Sequence, residues 1–281
     1  MKKTGKNICK IAFVFVILTS SFPFVCVAQI PGGIAIDAEL HKPTEVIDSA
    51  DYRFTYSLRC IVDTAHMDDP LIQKLTLKVG KKYSFFHNGE RRELPENAKT
   101  DGWSLVASEG LGATFIYKDY QRKIAEVMIA GCGVSYHWAY EESIPSQQWV
   151  LCNESRTING YECHKATTSY MGRDYTAWFT LDIPIPEGPW KFYGLPGLIM
   201  EVGDSRNHYL FTCIDAVALK IKEPICRYDW SIQKKKRTDI ENIIKRIHND
   251  YKGYLETTKD PGTELLFFGP IEIPYNPIEL E

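Results

Sequence analysis

Seven histidines, His41, His66, His87, His137, His164, His208 and His248, are the first residues to ask for acid–base or metal chemistry. No two of them are spaced as ligands on one helix. The neighbours Cys163 and His164 would point to opposite faces of a strand, so they would not share a metal. No G-x-S-x-G, no H-E-x-x-H and no glycine-rich phosphate loop opening a helix occurs in the sequence. Each histidine is therefore expected to be exposed or hydrogen-bonded, and neither a metal nor a cofactor is expected. Among carboxylates, Asp182 and Glu187 are the pair that could line one cleft and share acid–base work; the alternative is two solvated loop charges. A further alternative is that Arg173 and Lys191, with Asp174 and Glu201, form ion pairs bracketing the same region.

Those charges sit in or beside Tyr175 to Val202, which holds three glycines (Gly188, Gly194, Gly197), four prolines (Pro184, Pro186, Pro189, Pro196) and two tryptophans (Trp178, Trp190). Proline removes a ladder donor and fixes φ, while glycine admits backbone angles closed to other residues, so the middle of this stretch is neither helix nor central strand. It reads as a rigid apolar loop joining two strands, Tyr175 to Phe179 before it and Leu198 to Val202 after it. Trp178, Phe179, Trp190, Phe192 and Tyr193 carry more apolar surface than a connection needs. They either pack into the core or line a pocket for an apolar ligand or partner. Gly194, Leu195, Pro196, Gly197, Leu198 and Ile199 read as a tight turn whose glycines bring backbone close to its neighbours, with Leu195 and Leu198 buried.

The run Gly194 to Ile199, with INGYECHKAT at 158–167 and GRDYTAWFTLDIP at 172–184, resembles the GLPGLI family of secreted proteins from Bacteroidetes. The resemblance covers roughly residues 113–205. Met200 stands where leucine is expected, and Tyr193 at a position expected to vary. What the resemblance implies is export and a mostly β fold; it brings no established activity.

The N-terminus supports export on its own. Lys2, Lys3, Lys6 and Lys10 precede the apolar run Ile11 to Leu18, and Cys26-Val27-Ala28 suits signal peptidase, so residues 1–28 read as a signal peptide cleaved after Ala28. Lipidation at Cys26 and a retained anchor are the alternatives. No later segment is long and apolar enough to span a bilayer. Loss of four lysines from 33 basic residues leaves 29 against 36 acidic ones, a net charge of about −7, which disfavours a nucleic-acid partner. Cys60, Cys132, Cys152, Cys163, Cys213 and Cys226 remain, an even number that reads as disulfides in an exported chain. Cys152 with Cys163 across a hairpin, and Cys213 with Cys226, are the locally plausible pairs.

Residues 29–50 lack a period and read as an arm or tether. From Tyr52 to Val62 apolar and polar residues alternate as in a half-buried strand. Leu75 to Val79 and Tyr83 to His87 form a hairpin around Gly80; Thr114 to Tyr117 and Ile124 to Ala130 form another, with a helix over 123–128 as the alternative. Trp138 and Tyr140 continue an alternation begun at Val134. Trp149 to Cys152 and Tyr161 to Tyr170 are expected to flank an eight-residue turn, and Leu198 to Val202 returns into Tyr209 to Ala218. Thr238 and Glu241 form a capping box for one amphipathic helix striped by Ile240, Ile243, Ile244, Ile247, Tyr251 and Tyr254. The basic run Lys234 to Arg237 reads as a solvated connector before it, with contact to an anionic surface as the alternative.

The fold class expected is mainly β: a curved antiparallel meander, with the half-barrel of periplasmic lipid carriers as an analogy, and one C-terminal helix. A single domain spans 51–258, and 259–281 is a tail. The function expected is a cell-envelope binding, carrier or assembly protein, located in the periplasm or at the outer membrane, whose partner is an envelope protein or an apolar ligand. The alternative is a hydrolase with a site near the aromatic loop. A roomy apolar concavity would favour carriage, a polar cleft catalysis and a filled core assembly.

Overall fold

The computed structural model describes residues 25–26, 43–88, 114–130, 137–145, 147–258, 264–265 and 274–281. The chain is mainly β. A two-residue strand β1 (Val25–Cys26) pairs in parallel with β14 (Glu264–Leu265), apart from everything else. The main sheet is built from β2 (Pro43–Cys60), β3 (Leu71–Gly80), β4 (Tyr83–His87), β5 (Thr114–Asp119), β6 (Ile124–Ala130), β7 (His137–Ser143), β8 (Val150–Ile158), β9 (Tyr161–Tyr170), β10 (Arg173–Thr180), β11 (Leu198–Asp204), β12 (Tyr209–Tyr228) and β13 (Ile232–Lys234). Its strand order is β13-β7-β6-β5-β4-β3-β2-β12-β11-β10-β9-β8. Every pairing is antiparallel except β13 with β7. The sheet does not close, and β8 and β13 are its edges.

Two hairpins show how local sequence sets register. Asn159 and Gly160 both have positive φ, 49° and 84°, as do Met171 and Gly172, at 49° and 73°. These are two-residue turns of the kind that matches strand twist, so β8 runs on to Ile158 where a long turn was expected. The consequence for the cysteines is direct. Arg156, not Cys152, faces Cys163, and Cys152 lies in the register shift between Leu151 and Ser155. Cys213 and Cys226 lie on one extended strand, β12, which keeps their side chains apart. Cys60, Cys152, Cys163, Cys213 and Cys226 are all free, so neither expected disulfide forms. Burial pushes the thiol of Cys163 up to about 11 and that of Cys213 to about 12. Cys132 lies outside the described residues.

The sheet is strongly rolled, and one loop measures it. Lys191 Nζ reaches Tyr140 OH on β7 at 2.9 Å, while the adjacent Trp190 ring meets Tyr170 on β9 at 6.0 Å between centroids. Those strands are second and eleventh in the sheet order. At about 4.8 Å per strand a flat sheet would hold them roughly 40 Å apart. Alternation then gives each strand an inner and an outer side: Phe86, Ile116, Val127 and Trp138 face in, while Phe85, Phe115, Tyr117 and Met128 face out.

The outer cluster is covered by the far ends of β2 and β12. Register shifts between Ala50 and Tyr52 and between Ala218 and Glu223 bend this ribbon, bringing Ile225, Tyr228 and Trp230 over β4 to β7. Pro43 to Ala50 thus forms strand where an arm was expected, because its partner, Glu223 to Tyr228, is distant in sequence. The inner side receives helices α1 (Arg237–Asn249) and α2 (Tyr251–Thr258) through Ile240, Ile247 and Tyr254. The capping box does not form. Lys236 occupies the N-cap without a side-chain bond, Thr238 lies inside the helix, and Glu241 pairs with Arg237. Asp250 divides the expected helix in two, its carboxylate accepting the Gly253 N–H at 2.9 Å.

Candidate functional site

The connection from β10 to β11 crosses the inner side of the sheet, and its backbone is fixed before any side chain is considered. A Cβ on Gly197 would lie 1.9 Å from the Thr180 carbonyl oxygen, so the two strands can close over the loop only with glycine there. Gly194 has φ +96°. The Gly194 N–H donates to Pro186 O at 3.0 Å, Leu198 N–H to Ile183 O at 2.9 Å and Ile199 N–H to Glu187 O at 3.0 Å, so the loop satisfies much of its own backbone. Leu195 and Leu198 are buried, as the turn motif requires.

Two buried charges pin the loop across the sheet. Glu187 accepts Lys118 Nζ at 2.7 Å, Ser84 Oγ at 3.1 Å and Tyr120 OH at 2.6 Å, and both members of the ion pair are 1% exposed. Such a pair is tolerable in the interior because its lone pairs are filled by further donors. Burial and then Glu187 hold the Tyr120 phenol well above its ordinary range. Lys191 reaches Glu142 at 2.8 Å and also Glu279 and Tyr140. Burial opposes its charge, but Glu279, Tyr140 and Glu142 outweigh that and keep the ammonium protonated above the usual lysine range. Gln147 Nε2 donates to Lys191 O at 3.1 Å and its Oε1 accepts the Tyr193 N–H at 3.0 Å, while Trp149 Nε1 donates to Tyr193 O at 3.0 Å.

A third cation anchors the C-terminal segment. Arg173, 3% exposed, donates to Asp204 Oδ2 at 2.8 Å, Asn276 Oδ1 at 2.8 Å, Pro277 O at 2.6 Å and Ile278 O at 3.1 Å. The expected ion-pair set is therefore rewired. Arg173 pairs with Asp204, Lys191 with Glu142 and Glu279, Glu201 with Arg156, and Asp174 accepts the Ser169 hydroxyl at 2.6 Å.

The five aromatic candidates do not converge. Phe179, Trp190 and Phe192 are in the core, where Phe192 meets Tyr175 edge-on at 4.8 Å and Phe211 at 6.2 Å. Trp178 lies on the opposite side of β10 from Phe179, under the Arg156 guanidinium at 4.2 Å. Tyr193 is half-buried and borders a shallow cleft of about 280 Å³ lined also by Asp51, Tyr52, Tyr120, Pro184 and Pro186. Glu187 lines this cleft although it is buried, whereas Asp182 is exposed and lies outside it, so the carboxylate pair is not assembled. His66 pairs with Asp63 at 2.6 Å on the surface, His208 sits 3.2 Å from Arg173, His164 meets Phe179, and His87 is buried on the outer side. Among the described residues, no three His, Cys, Asp or Glu are grouped to hold a metal ion. His41 lies outside the described residues.

Lys118, Glu142, Asn276 and Glu279 were missed in the sequence reading. A signal was present for two: Lys118 is in phase with Ile116, and Glu142 with Trp138 and Tyr140, so alternation points both charges inward. Nothing local marks the tail residues.

A family described as "Protein of unknown function (Porph_ging)" matches residues 172–201. That segment is narrower than the resemblance read from the sequence, and it contains Gly172, Arg173, Glu187, Lys191 and Gly197. No curated protein matches the sequence. Two solved structures of PNGF-II, in different space groups, match the chain: one at 13% identity and TM-score 0.48 over 72% of this chain and 34% of that chain, the other at 12% and 0.47 over 70% and 33%. This chain thus spans about a third of the PNGF-II chains it matches.

Proposed function

We propose that the chain is an exported cell-envelope protein of the GLPGLI type that works by binding another protein, as an assembly or scaffold factor, and neither carries an apolar ligand nor catalyses hydrolysis. One observation carries this reading: the inner side of the rolled sheet, where a carrier would hold its cargo, is filled by the chain's own loop, with Trp190, Phe192 and Leu195 in its core. The cleft beside Tyr193, about 280 Å³, falls just below the roughly 300–1,000 Å³ of small-molecule sites and is shallow. Glu187, which lines it, is buried and spends its oxygens on Lys118, Ser84 and Tyr120. Export rests on the N-terminal lysines, apolar run and Cys26-Val27-Ala28.

The surface best suited to a partner is the edge strand β8, where Val150 and Leu151 are 64% and 62% exposed. The test is a photo-crosslinker at Leu151 in the exported protein, combined with native mass spectrometry of the purified chain. Support is one defined envelope protein captured at Leu151, lost on Val150→Lys, and a purified mass free of extractable lipid. A stoichiometric lipid or other apolar molecule released on extraction would overturn the reading.

A further inference from the structure

The C-terminal segment is held as a ligand is held. Its contacts are mostly polar and come from side chains of the body to its backbone. Arg173 donates to Pro277 O and Ile278 O, Tyr175 OH to Ile278 O at 3.3 Å, Tyr209 OH to Asn276 O, and Arg237 Nη2 to Glu281 O at 2.6 Å. The segment replies with the Leu280 N–H to Met171 O at 2.9 Å and the Asn276 amide to Ile61 O. Its identity is read at three places: Asn276 by Arg173, Ile278 by burial, and Glu279 by Lys191 and Arg237. Only Ile278 among the residues of this segment is buried.

A second observation separates this segment from the core. Each cation that grips it has another carboxylate within the body: Asp204 for Arg173, Glu142 for Lys191, Glu241 for Arg237. Asp204 is itself fixed by the N–H groups of His208 and Tyr209, each at 2.8 Å. Departure of the tail would leave no cation buried without a counter-charge, so the groove is built to stand without its occupant. Gly172 completes it, since a Cβ there would come 2.8 Å from Leu280 Cβ. The strongest anchors of the groove, Gly172, Arg173 and Lys191, lie inside the segment that matches the family.

We infer that this groove is a peptide-recognition site for an acidic segment of the pattern Asn-Pro-Ile-Glu, occupied in cis by residues 276–279 and open in trans to the same pattern on another polypeptide when the tail is displaced. The inference stands apart from the β8 edge and does not depend on it.

The experiment uses the full chain with a protease recognition site placed within residues 266–272, cut after folding. A fluorescent synthetic peptide of residues 274–281 is then titrated by anisotropy. The uncut chain should bind it at least about tenfold more weakly than the cut chain, because its own tail competes. Peptides carrying Asn276→Ala or Ile278→Asp should bind the cut chain at least about tenfold more weakly than the native sequence, and Arg173→Lys in the body should weaken the native peptide to a similar degree. Loss of the fold on cutting would show the tail to be part of the core and overturn the inference. Equal binding of native and scrambled peptides would overturn it as well. Neither result bears on crosslinking at Leu151.

Discussion

The two sides of the sheet solve the burial of polar groups differently. The inner side buries full charges and neutralises them in place, Glu187 against Lys118 and Lys191 against Glu142 and Glu279. The outer side under the β2–β12 ribbon is an aromatic cluster, Phe85 stacked on Tyr117 at 4.2 Å and Phe115 tilted against Trp230 at 4.5 Å, and it buries His87, whose imidazole burial holds well below its ordinary range. Ion pairs need exact geometry, which the crossing loop supplies; stacked rings need only area. The inner side should therefore respond sharply to loss of one partner, and the outer side to protons.

Glu187→Ala tests the first half most severely. Lys118, 1% exposed, would keep Phe192 O at 3.3 Å but lose its carboxylate. The expected cost is about 3–5 kcal/mol in denaturant unfolding, enough to prevent accumulation in a marginal domain. A cost under about 1 kcal/mol would mean that the loop is not pinned by this pair.

Leu198→Ala asks how far the loop is architecture. Leu198 is fully buried and follows the glycine that passes Thr180. Lost burial and a residual cavity should cost about 2–5 kcal/mol. Wild-type melting for this variant would make the loop a recognition surface instead.

Acid sharpens the contrast. Burial first, and then Lys78, push the His87 imidazole from its ordinary 6.5 down to about 3, against a weaker opposing bond involving Asn88. The unfolded chain therefore takes up a proton between those values that the folded chain refuses. Stability present above about 6.5 is lost as pH falls towards 3, by up to about 1.4 kcal/mol per pH unit from this group. His87→Gln should flatten that portion of the stability profile; an unchanged slope would place the proton uptake elsewhere.

How much of this was legible follows from range. Alternation within a strand is local, so Phe54 to Cys60, Leu75 to Val79 and Trp138 to Tyr140 could be placed, and with them a mainly antiparallel sheet. Pro184 to Gly197 announced a shaped loop because proline and glycine act on their own backbone. The Asn159-Gly160 turn is also local, and its two-residue length is what sets Arg156 rather than Cys152 opposite Cys163. What sequence could not show was wiring across distance: Glu187 to Lys118, Arg173 to Asn276, or the strand character of Pro43 to Ala50, whose partner lies near the other end of the chain. The helix was read by its stripe, yet its division at Asp250 depended on a carboxylate capping the following turn.

The smallest effect is expected where neither device operates. On the β8 to β11 half of the sheet, Trp178 is sheltered by Arg156, which also pairs with Glu201; their side chains are 42% and 22% exposed. Water screens such a pair, so its worth is about 0–1 kcal/mol, to which a guanidinium over a half-buried ring near the surface adds about 0.5–1 kcal/mol. Arg156→Ala should therefore cost no more than about 1–2 kcal/mol. Its clearer signature is optical. Uncovered, Trp178 should become more accessible to a neutral quencher while Trp190, 2% exposed within the loop's own core, is unchanged. Replacing Trp178 by Phe in the same background should remove that increment. Should Arg156→Ala instead cost as much as Glu187→Ala, the pair would be carrying buried weight, and the division of the sheet into a charged interior, a stacked exterior and a lightly covered remainder would fail at its third part.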